Sequence, residues 1–191
     1  MTLPAERRAE PVHDETLIVQ IARGDLEALG SLFDRHEREI RAYVCRLGMS
    51  PSDCDDIVQS VFIEIMKSAG RFDPRLPARA WVYGIATMLV RRERRSLSRQ
   101  AARLMRWARE KVEAEVQSPE ECHRSDRARV SFERAYAGLS SKKKEVFALV
   151  VLQGLSGEQA ARTLGIPVGT VWTRLHHARE ELRRAVEGGD A

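Results

Sequence analysis

The stretch from Ser156 to Leu182 reads SGEQAARTLGIPVGTVWTRLHHAREEL, and its side chains are suited to hydrogen bonding and charge pairing rather than to bond breaking. At roughly 100° per residue, Val171, Leu175, Ala178 and Leu182 fall on one helical stripe. Thr170, Thr173, His176, His177 and Glu180 fall broadly on the opposite side. Short polar groups on the open face of a helix can meet base edges in the major groove. Gly169 lets the backbone approach a phosphate, and Arg174, Arg179, Arg183 and Arg184 can reach phosphates, which supply affinity more than specificity. Trp172 is expected at the edge of this face or against neighbouring helices. His176 and His177 are adjacent, so they point about 100° apart and chelate poorly. No partner ligand stands at zinc-type spacing, and no metal or cofactor is expected.

The elements needed to present that face are written into the same segment. Ser156 with Gln159 three residues later forms a capping-box pattern. Ala160, Ala161 and Leu164 give a small apolar face that a second helix can approach closely. Gly165 suits the left-handed residue that ends a helix, Ile166 plugs the turn, and Pro167 fits the start of the next helix. The pattern is a helix-turn-helix, with an ordinary helical hairpin as the plainer alternative.

Two further regions carry candidate chemistry. Arg91 to Lys111 holds nine basic residues against Glu93 and Glu110, a candidate phosphate-binding surface or a solvated helix face. The loop AGRFDPRLPARA mixes Arg71, Arg75 and Arg79 with Phe72, a combination able to hold an unstacked single strand. Upstream, Ile57, Val58, Val61, Phe62, Ile65 and Met66 form a wide apolar stripe decorated by Asp53, Asp55, Asp56, Gln59, Ser60 and Glu64. Trp81, Val82, Ile85, Ala86 and Leu89 mark another helix, with Trp81 expected mostly in the core.

The 191-residue chain is long enough for one domain or two small ones. Its 32 Lys and Arg against 28 Asp and Glu leave a net charge of +4, so the distribution of charge says more than the total. An apolar share of 43% supports packed cores, with no run of about 18 apolar residues to span a membrane. The first residues lack an apolar signal region, and a cytoplasmic location is expected. Cys45, Cys54 and Cys122 are odd in number and suit a reducing compartment, the first two as core or helix-surface thiols.

Nearly everything reads as helix. Residues 1–13 read as a flexible tail. Helices are expected from Asp14 to Ala22, from Leu26 to about Leu47 behind an Asp25 cap, from Ser52 or Asp53 to Ala69, and from Ala78 into the basic stretch. Residues 96–130 read as a linker, part helical and part flexible, broken by Pro119. A second helical unit follows to about Val186.

Taken together, two segments resemble the extracytoplasmic-function (ECF) group of bacterial RNA polymerase sigma factors. DCDDIVQSVFIEIMKSAGRFDPRLPARAWVYGIA resembles sigma domain 2, through Asp56-Ile57-Val58-Gln59, Phe62, Phe72, Ala80-Trp81-Val82, Ile85-Ala86 and the arginine run 91–95. The second half resembles sigma domain 4, through Gly169-Thr170-Val171, Arg174-Leu175 and Ala178-Arg179. Met88 stands where the group commonly has Asn, and Gln159-Ala160-Ala161 replaces the usual Glu–Ile–Ala.

The resemblance implies an all-α chain of two small helical domains. Sigma domain 2 would span 14–95 and the helix-turn-helix domain 4 would span 131–187, joined by the 96–130 linker and followed by a tail at 188–191. It implies a transcription initiation factor, not an enzyme, that binds core RNA polymerase at the β′ clamp and β flap, directs it to promoters and helps melt DNA. Asp56, Gln59 and Phe62 would dock on polymerase. Arg71, Phe72, Arg75, Arg79, Trp81, Arg91, Arg92 and Arg95 would serve the minus-10 element. Gly169, Thr170, Trp172, Thr173, Arg174, His176, His177 and Arg179 would read the minus-35 element. An anti-sigma factor is implied as a further partner. The competing reading is a stand-alone helix-turn-helix regulator, which leaves the Asp56–Phe62 helix and the basic loop without a role. No glycine-rich phosphate loop, nucleophile elbow or HExxH motif supports an enzyme.

Overall fold

The computed structural model describes residues 12–108 and 127–187, and every regular element among them is helical. The first domain comprises α1 (Asp14–Ile21), α2 (Leu26–Arg46), α3 (Pro51–Ser68) and α4 (Ala78–Ala108), with a 3-10 turn at Ala69–Arg71. The second comprises α5 (Arg127–Gly138), α6 (Ser141–Phe147), α7 (Gly157–Leu164) and α8 (Val168–Glu187). A wide π turn over Ala148–Leu152 closes α6.

The helix starts follow from local chemistry. Asp25 caps α2 by accepting from the backbone N–H groups of Glu27 and Ala28 at 2.9 and 3.0 Å. Ser50 caps α3 through the Asp53 N–H, and Pro51 occupies the first turn, where its missing N–H does no harm. The third helix therefore begins slightly earlier than the expected Ser52 or Asp53. Each such cap contributes about 1 kcal/mol. The N-terminus of α4 is satisfied from another helix: the Ala78 N–H donates to Glu15 of α1 at 2.8 Å. That placement also sets a carboxylate at the positive end of the α4 dipole.

The expected domain boundary at residue 95 is not a break. Helix α4 continues to Ala108, because Arg, Leu, Ala and Gln dominate this stretch and neither Pro nor Gly interrupts it. The rest of the expected linker, with Pro119 and Cys122, lies outside the described residues, as do 1–11 and 188–191 of the two expected tails. Helix α5 begins at Arg127, ahead of the expected start at 131.

The first core packs α1, α2, α3 and α4 around Ile18, Leu32, Ile40, Tyr43, Val61, Ile65 and Val90, all essentially without solvent exposure. Tyr43 is buried yet hydrogen-bonded to Thr87 at 2.7 Å, and Thr87 donates onward to the Tyr83 carbonyl. Burial raises the Tyr43 phenol well above its ordinary range. The second core gathers Val146, Leu149, Leu164, Val171, Leu175 and Ala178.

Cys45 and Cys54 are joined as a disulfide across the α2–α3 turn, with their Cα atoms 5.7 Å apart. This differs from the expectation of two separate thiols. The turn at Gly48–Ser50 folds the start of α3 back onto the end of α2, a juxtaposition that sequence spacing does not reveal. Closing so short a loop stabilises the fold by about 2–3 kcal/mol in the chain-entropy account. Protein purified without reductant and then denatured should therefore show one reactive thiol per chain by Ellman titration, rising to three after reduction; three thiols before reduction would refute the link.

Candidate nucleic-acid interface

The helix-turn-helix is assembled as its capping residues dictate. Ser156 accepts from the Gln159 N–H at 3.1 Å while the Gln159 side chain accepts from the Ser156 N–H at 2.8 Å, a complete capping box. Gly165 ends α7 in the left-handed region at φ 66°, which a Cβ would disfavour. Val171, Leu175, Ala178 and Leu182 are buried, so α8 lies on its apolar stripe. This leaves Gly169, Thr173, His176 and His177 exposed and Thr170 half-buried along the opposite face. Thr173 donates to the Gly169 carbonyl at 2.9 Å, and the two histidine rings sit 5.6 Å apart.

Trp172 flanks this face and is half exposed. Its indole lies against Gly157 so closely that a Cβ built there would come within 2.4 Å of Trp172 Cζ2. Gly157 therefore makes room for Trp172 at the start of α7. Arg179 stands exposed on the same flank as Trp172, whereas Arg174 leaves the opposite flank and faces α4.

The residues expected to serve single-stranded DNA divide into two groups. Arg71, Arg75 and Arg92 are exposed, with Arg75 held by Asp73 at 2.8 Å and Arg71 4.0 Å from Glu64. The Asp73 carboxyl is lowered from its ordinary value by the Arg75 side chain. Phe72, in contrast, is buried, its ring 5.1 Å from that of half-buried Trp81. It supports Trp81 and presents no stacking face of its own. Trp81 lines an apolar cavity of about 300 Å³ with Leu76, Pro77, Ile85 and Met88, closed on one side by Arg162 and Thr163 of α7.

On α3, Asp56 and Gln59 are exposed while Phe62 is buried, its ring 4.8 Å from Phe33 of α2. Ile63 and Met66 stand exposed one and two turns beyond Gln59. The outer face of α3 is thus acidic at its start and apolar further along. The sequence put Met66 on the wide apolar stripe, and Ile63 was not singled out. The signal was available, since the apolar stripe is wider than one buried helix face requires. Asp55 is tied to Arg41 at 2.6 Å, which lowers the Asp55 carboxyl and raises the Arg41 guanidinium.

The two domains meet along a polar seam on α4. Glu145 of α6 is buried and accepts two hydrogen bonds from Arg91, at 3.0 and 2.7 Å. The hydrogen bond to Glu145 raises the Arg91 guanidinium further above its ordinary value. Gln153, turned inward by the π turn, accepts from Tyr83 at 2.5 Å and from Arg79 at 3.3 Å. Arg79 also donates to Glu39 at 2.9 Å, and Thr163 donates to the Ala80 carbonyl at 3.1 Å. Of the arginines expected on DNA, Arg91 is therefore held by the second domain, while Arg79 is shared between Glu39 of its own domain and Gln153 of the second. Glu145 and Gln153 were not singled out in the sequence, although an acid directly before an apolar run was a visible oddity.

The comparisons with known proteins agree with this architecture. The Sigma-70 region 2 pattern matches residues 32–100, and the Sigma-70 region 4 pattern matches 129–182. RNA polymerase sigma factor NccH of Alcaligenes xylosoxydans xylosoxydans is 31% identical over 91% of this chain and 94% of its own. The ECF RNA polymerase sigma-E factor of Escherichia coli K12 is 28% identical over 94% and 97%. The chain belongs to the ECF group of RNA polymerase sigma factors. These are transcription initiation factors. The chain spans 64% of the length of another relative, the ECF sigma factor SigE of Mycolicibacterium smegmatis. The solved structure of CnrH in complex with the cytosolic domain of CnrY superposes with a TM-score of 0.66 at 26% identity, covering 92% of this chain and 97% of CnrH. No helix among the described residues is long and apolar enough to cross a membrane.

In this ECF factor the seam rests on Glu145. Glu145→Ala leaves Arg91 without its acceptor and should weaken domain docking by about 1–3 kcal/mol. Hydrogen exchange would report it as faster uptake in α6 and α7 with α2 and α3 unchanged. Unchanged uptake in all four helices would contradict the assignment.

Proposed function

We propose that this chain works in the cytoplasm as an alternative sigma factor whose surfaces divide the work of initiation. The outer face of α3, with Asp56, Gln59, Ile63 and Met66, docks on the clamp of core polymerase, and the second domain adds contacts at the β flap. Phe62 supports that face from beneath through Phe33. The loop bearing Arg71 and Arg75, with Trp81 behind it and Arg79, Arg91, Arg92 and Arg95 along α4, takes the minus-10 element. A flipped base needs an apolar slot with cations near it, and the Trp81 cavity offers one. Helix α8 reads the minus-35 duplex through Gly169, Thr170, Thr173, His176 and His177, flanked by Trp172, Arg174 and Arg179.

The observation that carries this reading is one of co-occurrence. An open recognition helix stands in the same chain as an exposed acidic and apolar face that no element among the described residues covers. A duplex-binding regulator has use for the first only. Because Arg79 and Arg91 are engaged with Gln153 and Glu145, promoter binding requires the second domain to move away from α4. A protein partner that holds the domains together would silence the factor. CnrH, the structural relative solved in complex with the cytosolic domain of CnrY, supports a protein partner for this chain, and we take that partner to be an anti-sigma factor.

The test is promoter-specific run-off transcription with purified core polymerase and host promoters. Gln59→Ala with Met66→Ala should weaken polymerase binding about tenfold or more while sparing helix-turn-helix stability. Thr173→Ala with His176→Ala should leave polymerase binding intact and reduce discrimination at the minus-35 element by about 1–3 kcal/mol per lost base contact. No stimulation of initiation at any host promoter would sink the proposal.

A further inference from the structure

Docking of the domains creates a second cavity, of about 390 Å³, beside the Arg91–Glu145 pair. Arg91, Arg94 and Arg95 enter it from α4, while Lys142 of α6 and Arg174 of α8 enter it from the other domain. We infer that this cavity binds a small oligophosphate, gripped by cations of both domains at once.

Three of the lining cations have an unmet hydrogen-bonding need that a ligand can reach. Arg95 and Lys142 are exposed and Arg174 is half-buried, and none of the three has an acceptor among the described residues.

Five cations line the cavity against the single carboxylate of Glu145. Docking brings like charges from opposite domains together, and an anion bound between them offsets their repulsion. The crowding reaches Lys144 nearby, whose ammonium is lowered by burial and by the Arg94 charge.

Guanidinium forks match phosphate oxygens, and a chain of phosphates offers many acceptors in little space. The volume lies at the small end of the usual range for small-molecule sites, about 300–1,000 Å³, and suits a short chain rather than the side of a duplex. Ser141 adds a hydroxyl, and among the described residues Leu164 and Ile166 are the only apolar lining side chains and no aromatic ring lines the cavity to stack a nucleobase. The phosphate chain is the recognised part. A ligand that bridges the domains stabilises the docked arrangement by linkage, and so opposes promoter engagement.

Isothermal titration of the full chain with tripolyphosphate at physiological salt tests this. A single saturable site is expected, with ATP binding within about threefold because only its phosphates are read. Arg95→Gln with Arg174→Gln should weaken tripolyphosphate about tenfold or more. Arg23→Gln with Lys67→Gln removes the same charge from the exposed surface of the first domain and should change the affinity by less than about twofold. Arg95 and Arg174 hold no partner among the described residues, so the fold is expected to survive. Thermal melting checks that, and Arg174→Gln alone serves if the double variant does not fold. Absence of saturable binding, or an equal loss in both double variants, would overturn the site. So would a random-sequence duplex whose affinity falls tenfold in the Arg95/Arg174 variant while tripolyphosphate binding does not.

Discussion

The arrangement of the two domains depends on one buried carboxylate. Glu145 sits in the second domain with almost no solvent exposure, and its hydrogen-bond partner, Arg91, belongs to the first. A carboxylate can be kept ionised and dry only when a cation and good hydrogen bonds accompany it. Glu145 therefore fixes where α6 stands along α4, and the other seam contacts follow from that register. Gln153 reaches Tyr83 and Arg79 a little further along, and Thr163 reaches the Ala80 carbonyl. Arg91 and Arg79 each keep a guanidinium edge exposed, as the proposed exchange of partners requires.

This seam connects stability to function through shared residues. Arg91, proposed above for promoter phosphates, is also the cation that neutralises the second domain's buried acid. Docked, it stabilises a compact chain; in the proposed function it is released to DNA. The recognition helix is organised differently. Its presentation depends on the capping box at Ser156 and the left-handed Gly165, both within the second domain, so it can move as a rigid reader. Trp172, resting on Gly157, belongs to that rigid unit.

The helical elements were largely legible from the sequence because their signals are local. The Asp25 cap, the Ser156–Gln159 box and Gly165 mark boundaries with a specific hydrogen bond or backbone angle, and the structure has each of them. Where reading failed, the deciding forces were tertiary. The fourth helix was expected to run into the basic stretch and the linker from 96 to be part helical, but not how far; helix propensity carries α4 to Ala108. Phe62 and Phe72 carry motif resemblance but are buried, because periodicity gives a helix face and not what covers it. Ile63 and Met66 are the converse case, apolar residues left in the open. The Cys45–Cys54 link and the Glu145 pair join segments whose proximity only the fold creates. The recognition face on α8 was the most legible part of the candidate site, since polar and apolar stripes on one amphipathic helix need no tertiary information.

The central claim is that the seam is closed in the free chain and opens on core polymerase. Single-molecule energy transfer between dyes at Lys67 on α3 and Glu158 on α7 measures this directly. The account predicts one narrow, high-transfer population for the free chain, replaced by a low-transfer population when core polymerase is added. A broad distribution in the free chain that core polymerase leaves unchanged would contradict it.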